Sequence, residues 1–339
     1  MSTRIEASRR RGIIGLGVAG AIALAAGVAH AQKPVEFRYG HMNPPTSAAG
    51  IQADWLAEAI AKHSGGKIKT TVYPSSQLGK LQELAEAVST GTIALSHNTA
   101  AGIGSLYAPF AALDTPYLYR DVDHLMKVVD VDSPVMKRLN EGLIKAAGVR
   151  VLYGYYFGTR QLTAKKAAMQ PADLEGVKIR AIPFPIYTTA VQGLGAVPVP
   201  VDWSEVPTAL ATGVVSGQEN PVNVVLSSKL YEAQSHMMLT GHVMNAQLIV
   251  INEKVWQGLA PAMKEAVTKA ANEVRVRATD MVRNSEADEL AKLKSLKMTV
   301  VGPAEGLQLD KFKASVGKLV QAKFADKYGD LYKEIAAIR

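Results

Sequence analysis

The chain has 339 residues, 48% of them hydrophobic and 20% charged, enough for two ordinary domains and unlike a disordered or many-span protein. It contains no cysteine, which excludes thiol nucleophiles, Cys-ligated zinc and iron–sulfur clusters. The formal net charge is +8, without the concentrated basic face that nucleic-acid binding requires.

Residues 1–31 stand apart. Arg4, Arg9, Arg10 and Arg11 precede an uncharged run over 12–29, which ends in Ala29-His30-Ala31. This layout is expected to be a secretory signal cleaved after residue 31, with a membrane anchor as the alternative. Ser8-Arg9-Arg10-Arg11 also fits a twin-Arg export signal, so Sec and Tat routes both stay open, and both lead to the periplasm. Within the run, Gly15, Gly17 and Gly20 spell a dinucleotide fingerprint, but no strand precedes them, so they carry no cofactor assignment. Removing four Arg and one Glu from totals of 38 and 30 leaves 34 and 29, a mature charge of +5.

From residue 35 onward strands and helices alternate. The pattern predicts a strand over 35–41, a helix over 47–63, a strand over 68–73 and a helix over 80–90. Leu81, Leu84, Ala85 and Val88 give that last helix one apolar face, and Gly91 stops it. A near-continuous apolar run over 149–155 predicts a strand covered on both faces. A short strand over 177–181 carries Arg180. A long charge-laced helix over 262–293, a strand over 298–301 and further helix complete the chain. The fold class is α/β.

Residues 83–98 and 205–220 align without gaps, with Glu, Ala, Thr, Gly and a terminal Asn coinciding. Each copy predicts helix, glycine turn, short strand, then Asn98 or Asn220. Chance could produce so short a match. The alternative is two lobes on a shared plan, each pointing a strand end at a common cleft, where ligands of open α/β sheets sit. No flexible linker separates two halves, so two lobes would require the chain to cross between them several times through structured segments.

Arg180 closes its strand and is followed by Ile182, Pro183, Phe184 and Pro185. A guanidinium is a rigid fork that grips a carboxylate with two parallel hydrogen bonds, and the prolines fix its direction. A strand-ending Arg is also commonly a solvated charge. Arg160 after Gly158-Thr159 and Asn220 before Pro221 carry the same ambiguity. Alternation places Tyr155 and Phe157 on one side of their strand and Tyr156 on the other. Phe184 and Trp203 sit in loops nearest the expected cleft. Asn43, His97 and Asn98 end strands of the first half and offer polar groups. His242 reads as a structural histidine at a hinge. The histidines past the leader show no metal-ligand spacing, and no nucleophile elbow or phosphate-cradling loop is present.

The series GTR (158–160), DLEGVKIRAIP (173–183), LGAVPVPVDWSEVPTALATGVVSGQENP (194–221) and YEAQSHMMLTGH (231–242) resembles the solute receptors of tripartite ATP-independent periplasmic (TRAP) transporters, the DctP-type family. Weaker similarity, such as that over 73–91, extends across most of the remaining chain. The resemblance implies a two-lobed periplasmic-binding-protein-like fold, with discontinuous lobes joined by a hinge and a long shared helix. The expected divisions are 32–157 with 246–285 as lobe I, and 158–245 with 286–339 as lobe II.

The resemblance further implies that Arg180 holds the ligand carboxylate, that Arg160 faces the ligand as well, and that Asn220 supplies a hydrogen bond. Asn43, His97, Asn98, Tyr155, Phe157, Phe184 and Trp203 complete the expected ligand-binding set. The implied partners are a small organic acid and the membrane permease subunits of a TRAP transporter, with no ATPase and no nucleic acid. A monomer is expected, with a dimer the alternative. No cofactor or metal is assigned, although some relatives hold a metal beside the ligand and Glu219 could serve one. A hydrolase or lyase on organic acids, a receptor of an ATP-driven importer and a sensory binding protein are the competing readings.

Overall fold

The structure is a computed structural model that describes residues 34–339. The expected export signal over 1–31 lies outside the described residues. In chain order the elements begin with β1 (Val35–Gly40), α1 (Ala48–His63), β2 (Ile68–Tyr73), α2 (Leu81–Thr90), β3 (Leu95–Asn98) and α3 (Ala100–Ile103). Then come α4 (Val122–Val128), α5 (Pro134–Ala147), β4 (Val149–Ala164), β5 (Lys178–Ala181), α6 (Pro185–Gly193) and β6 (Val197–Pro200). The chain continues through α7 (Val206–Ala211), β7 (Gly217–Pro221), α8 (Val222–Ser227), β8 (His236–Asn252), α9 (Glu253–Gly258), α10 (Pro261–Ser295), β9 (Thr299–Val301) and α11 (Leu309–Ala337).

The nine strands of the described residues belong to one sheet in the order β2-β1-β3-β8-β4-β7-β5-β6, with β9 added to β8. The flanking sets β2-β1-β3 and β7-β5-β6 are each parallel within themselves. Between them run β4 and β8, 16 and 17 residues long and antiparallel along their length. Every connection between the two ends of the sheet therefore passes through ordered backbone.

The 149–155 strand extends nine residues beyond its expected end, to Ala164. Apolar patterning stops at Phe157 because a register shift at Tyr156/Gly158 interrupts the ladder there. Gly158 has φ of 120°, and a Cβ on it would lie 2.6 Å from Pro221 Cβ. Glycine is what lets β4 pass β7 at this point.

Tyr153, Tyr155 and Phe157 pack with Leu56 and Ile60 of α1 and Val267 and Val274 of α10. Tyr156 belongs to the other main core, with Leu139 and Leu143 of α5, Ile186 and Val191 of α6, and Phe312 and Phe324 of α11. The alternation expected of these aromatics is realised. A third core lies at the far end, around Val206, Leu210, Val215 and Leu293.

Helix α10 spans 35 residues along the sheet. Helix α11 begins against the second half and ends against the first. Arg138 meets Glu334 at 2.6 Å, and Arg120 donates to the Ile338 carbonyl at 2.6 Å. The C-terminal turns of α11 are thus tied to the segment that carries Arg120 and Arg138. Among the described residues no helix is long and apolar enough to cross a membrane.

Candidate functional site

The two segments matched in the sequence adopt the same plan. Helix α2 stops at Gly91 in the left-handed conformation (φ 77°) and leads into β3, which ends on Asn98. Helix α7 passes through Gly213 (φ 78°) into β7, which carries Asn220. Both strand ends point toward the middle of the sheet.

There, a narrow cavity of about 40 Å³ is lined by Arg160, Arg180, Asn220, Trp203, Phe157 and Asn43, six of the ten expected ligand-site residues. Met42, Thr99, Asp202 and Gln247 also line it. Met42, Thr99 and Gln247 come from segments outside the motif series, whereas Asp202 lies within it, beside Trp203. The other four expected residues are not at its wall. Phe184 faces a separate cavity with Pro185, Phe324 and Tyr328, because the turn after β5 directs it toward α11. Asn98 donates Nδ2 to the Leu81 carbonyl at 2.8 Å and so anchors α2 to β3. His97 and Tyr155 are wholly buried behind the wall.

Arg180 is 2% exposed and donates Nε to the Val201 carbonyl at 2.8 Å. That bond fixes the plane of the fork. Its guanidinium lies 5.9 Å from the Trp203 ring centre. Among the described residues no carboxylate lies within ion-pair distance of it. Burial pulls its pKa down to about 10, the sign of a cation short of compensation.

Arg160 is differently placed. Its Nε donates to Glu219 Oε2 at 2.5 Å, and Nη2 donates to Glu219 Oε1 at 2.8 Å and to the Glu219 carbonyl at 2.6 Å. His242 Nε2 lies 3.0 Å from Glu219 Oε2, and since a carboxylate only accepts, that nitrogen carries the proton. His242 Nδ1 lies 2.8 Å from Thr240 Oγ1. Burial pushes the Glu219 carboxyl up, but Arg160 and His242 outweigh it and bring it down to about 2. The fork of Arg160 is thus occupied by Glu219, leaving Nη1, 3.4 Å from Asn245 Oδ1, as its least engaged corner. The assignment of His242 as structural agrees with this geometry, and Glu219 serves Arg160. Among the described residues no cluster of His, Asp and Glu has metal-binding geometry.

Asn220 donates Nδ2 to Gln218 Oε1 at 2.5 Å, and Gln218 in turn donates to Thr163 Oγ1 at 2.7 Å. At the rim, Lys80 at the start of α2 reaches across to Asp202 Oδ2 at 2.8 Å and Glu205 Oε1 at 3.0 Å. This pair joins the β2-β1-β3 end to the β7-β5-β6 end beside the cavity.

Residues 39–327 match the family described as bacterial extracellular solute-binding protein, family 7 (DctP). The 2,3-diketo-L-gulonate-binding periplasmic protein YiaO of Escherichia coli is 33% identical over 70% of this chain and 71% of its own. The sialic acid-binding periplasmic protein SiaP of Vibrio cholerae is 30% identical over 80% of this chain and 87% of its own. Among solved structures, a TRAP periplasmic solute-binding protein of Polaromonas sp. JS666 bound to D-erythronate superposes with a TM-score of 0.82. It is 31% identical, over 90% of this chain and 98% of that one. One of Roseobacter denitrificans with bound L-galactonate has a TM-score of 0.83 at 26% identity, over 90% and 99%. The two-lobed α/β architecture, the twin strand ends and the buried arginines come together in one conclusion: the chain belongs to the DctP family of bacterial extracellular solute-binding proteins.

Proposed function

We propose that the protein is a periplasmic receptor that captures a small organic acid in the cavity between β3 and β7 and hands it to the membrane permease of a TRAP transporter. The observation that carries this reading is Arg180, a buried guanidinium with a fixed plane, a cavity in front of it and no carboxylate partner among the described residues. A ligand carboxylate supplies the missing charge and accepts from the fork, each charge-assisted bond contributing about 1.5–3 kcal/mol. Micromolar binding needs only about 8 kcal/mol net. Acid ligands in the related structures, D-erythronate and L-galactonate, support the same chemistry here.

The division into lobes 32–157 with 246–285, and 158–245 with 286–339, fits strands β4 and β8 as the crossing segments. Gly158 sits at that crossing on β4. Arg160 and Arg180 at the cavity wall are each only 2% exposed, so the lobes part to admit ligand and close upon it. Lys80 with Asp202 and Glu205 acts as a rim contact made on closure. Asn43, Phe157, Trp203 and Asn220 shape the wall, and Arg160 braces the clamp through its Glu219 pair. The reading assigns no turnover to the site.

Isothermal titration calorimetry against a panel of organic acids tests this. Saturable one-to-one binding of an acid, abolished by Arg180→Ala, is the expected result. Binding of no acid in a broad panel, with the protein folded, sinks the reading.

A further inference from the structure

The cavity in front of Arg180 has an outer neighbour. Met42 and Trp203, which line it, also line a crevice of about 380 Å³ at the junction of the two lobes proposed above. Ser75 and Ser76 border that crevice from the first lobe, and Ser204 and Lys229 border it from the second. Another crevice, of about 270 Å³, lies beside Phe184 and is lined by Ser105 and Lys327. It shares no wall residue with the cavity at Arg180. The first crevice, by contrast, is divided from that cavity by two shared side chains, Met42 and Trp203.

Both sides of the first crevice are built on costly backbone. Ser75, Ser76 and Lys229 have φ of 55°, 59° and 53°, three of the five non-glycine residues with positive φ among the described residues. A Cβ in that region crowds its own backbone, and such conformations collect at working sites. The turn at Ser75 and Ser76 has a definite task. Ser75 N donates to the Asn43 carbonyl and Ser76 N to the His41 carbonyl, each at 3.0 Å, so the turn brackets Met42. Across the crevice, Arg180 donates to the carbonyl of Val201 and holds its guanidinium 5.9 Å from the Trp203 ring centre. One side of the passage is thus set by the turn, the other by the arginine that grips the acid.

Charge separates the crevice from an ordinary surface hollow. Its wall carries one cation, Lys229, and no carboxylate. Apart from Trp203, its other polar side chains are all serines. Lys229 is exposed, and among the described residues its ammonium enters no ion pair. Lys80 at the rim is instead held by Asp202 and Glu205. An uncompensated ammonium in a concave surface raises the local concentration of anions and speeds their arrival. Serine hydroxyls replace water around a carboxylate without adding charge. Lys229 is absent from the wall of the inner cavity, so an acid seated on Arg180 has left it behind.

We infer that this crevice is an antechamber: an organic acid lands on Lys229 and reaches Arg180 by passing between Met42 and Trp203. The carboxylate moves from an exposed ammonium to a buried guanidinium, and release runs the same path backwards. The inference rests on the acid-receptor reading above and adds to it an entry side, an outer anion site and a gate. A residue that acts only on the path changes arrival and release by one factor, because both cross the same barrier.

The chain contains no cysteine, so a single introduced thiol can be plugged selectively. Ser204→Cys places one at the antechamber, and Ser105→Cys places one at the crevice beside Phe184; both positions are exposed. Each is coupled to a neutral poly(ethylene glycol) maleimide. Stopped-flow tryptophan fluorescence then follows binding and release of the acid bound tightest in the organic-acid panel. The plugged Ser204→Cys protein should show both rates slowed at least about fivefold, and the plugged Ser105→Cys protein less than about twofold. Lys229→Asn removes the cation and keeps a residue that tolerates positive φ. At low salt it should slow association and release together by about threefold, an effect that fades as salt rises. Unchanged rates in the plugged Ser204→Cys protein overturn the inference. Selective slowing in the plugged Ser105→Cys protein also overturns it and moves the entry to the crevice beside Phe184. Equal slowing in both overturns it too, since the plug then hinders lobe motion rather than a passage. Weaker binding by Lys229→Asn with unchanged association places Lys229 on the bound acid and contradicts the path. A panel without a binder contradicts the receptor itself, and the antechamber falls with it.

Discussion

Arg160 on β4 and Glu219 on β7 form a forked ion pair, Nε to Oε2 at 2.5 Å and Nη2 to Oε1 at 2.8 Å, with both side chains essentially cut off from water. The pair lies on the boundary between the two ends of the sheet, and its Arg160 lines the cavity in front of Arg180. A buried pair of this kind has a large desolvation cost, offset only while both partners and their remaining hydrogen bonds are present. Its role is to hold geometry, and Arg180 stays available because Glu219 is already taken.

Breaking the pair from one side should therefore be severe. Glu219→Gln leaves Arg160 buried without a counter-charge, and equilibrium unfolding should show a loss of about 3–5 kcal/mol. Replacing both partners by apolar residues of similar size, Arg160→Met with Glu219→Leu, should recover most of that loss without restoring ligand affinity. Equal stability of the single and double variants would count against the pair as described.

The strand ends at Asn98 and Asn220, the alternation of Tyr155, Tyr156 and Phe157, and the strand bearing Arg180 were legible in the sequence, because each is a local pattern of period, punctuation and residue type. The partner of Arg160 was not. Glu219 lies 59 residues away, and nothing in the spacing says that a surface-looking Glu before Asn-Pro turns inward. Nor could Gln247 be read, since on an apolar strand a lone Gln resembles any tolerated polar residue. Phe184 illustrates the opposite case. Adjacency to Arg180 suggested the cleft, but one residue beyond the strand the backbone turns and carries the ring to α11. The run beyond Phe157 was missed as strand because its Gly-Thr-Arg composition reflects a bulge and a buried ion pair rather than sheet packing.

Stability should fall on mild acidification, for two reasons of the same sign. His41 has a folded pKa of about 4 against an ordinary 6.5. Below pH 6.5 the unfolded chain takes up a proton that the fold refuses, so stability declines until about pH 4, by something on the order of 3 kcal/mol. Glu219, held near 2 against 4.5, contributes stability that is present above pH 4.5 and lost as pH falls toward 2. Urea midpoints at pH 7, 5.5 and 4.5 check the first window. His97, wholly buried and likewise held below its ordinary range by burial, acts in the same window, so His41→Asn should reduce the slope without abolishing it, and an unchanged slope in that variant would place the loss elsewhere.

Lys80 bridges the rim to Asp202 and Glu205, and the two acids hold its ammonium pKa above its ordinary value. Because the ammonium is solvent-exposed, its effect should be kinetic rather than structural. Lys80→Ala should speed ligand release severalfold in stopped-flow measurements at low salt, with the difference shrinking at high ionic strength. A release rate that is unchanged at low salt would remove Lys80 from the closing contact.

The central claim is that Arg180 grips a ligand carboxylate through its fork and not merely through its charge. Calorimetry of the wild type and Arg180→Lys with the same acid tests this directly, since lysine keeps the cation and loses the two parallel donors. The account predicts at least about a tenfold loss of affinity with the fold intact by circular dichroism, and unchanged affinity in Arg180→Lys would contradict it.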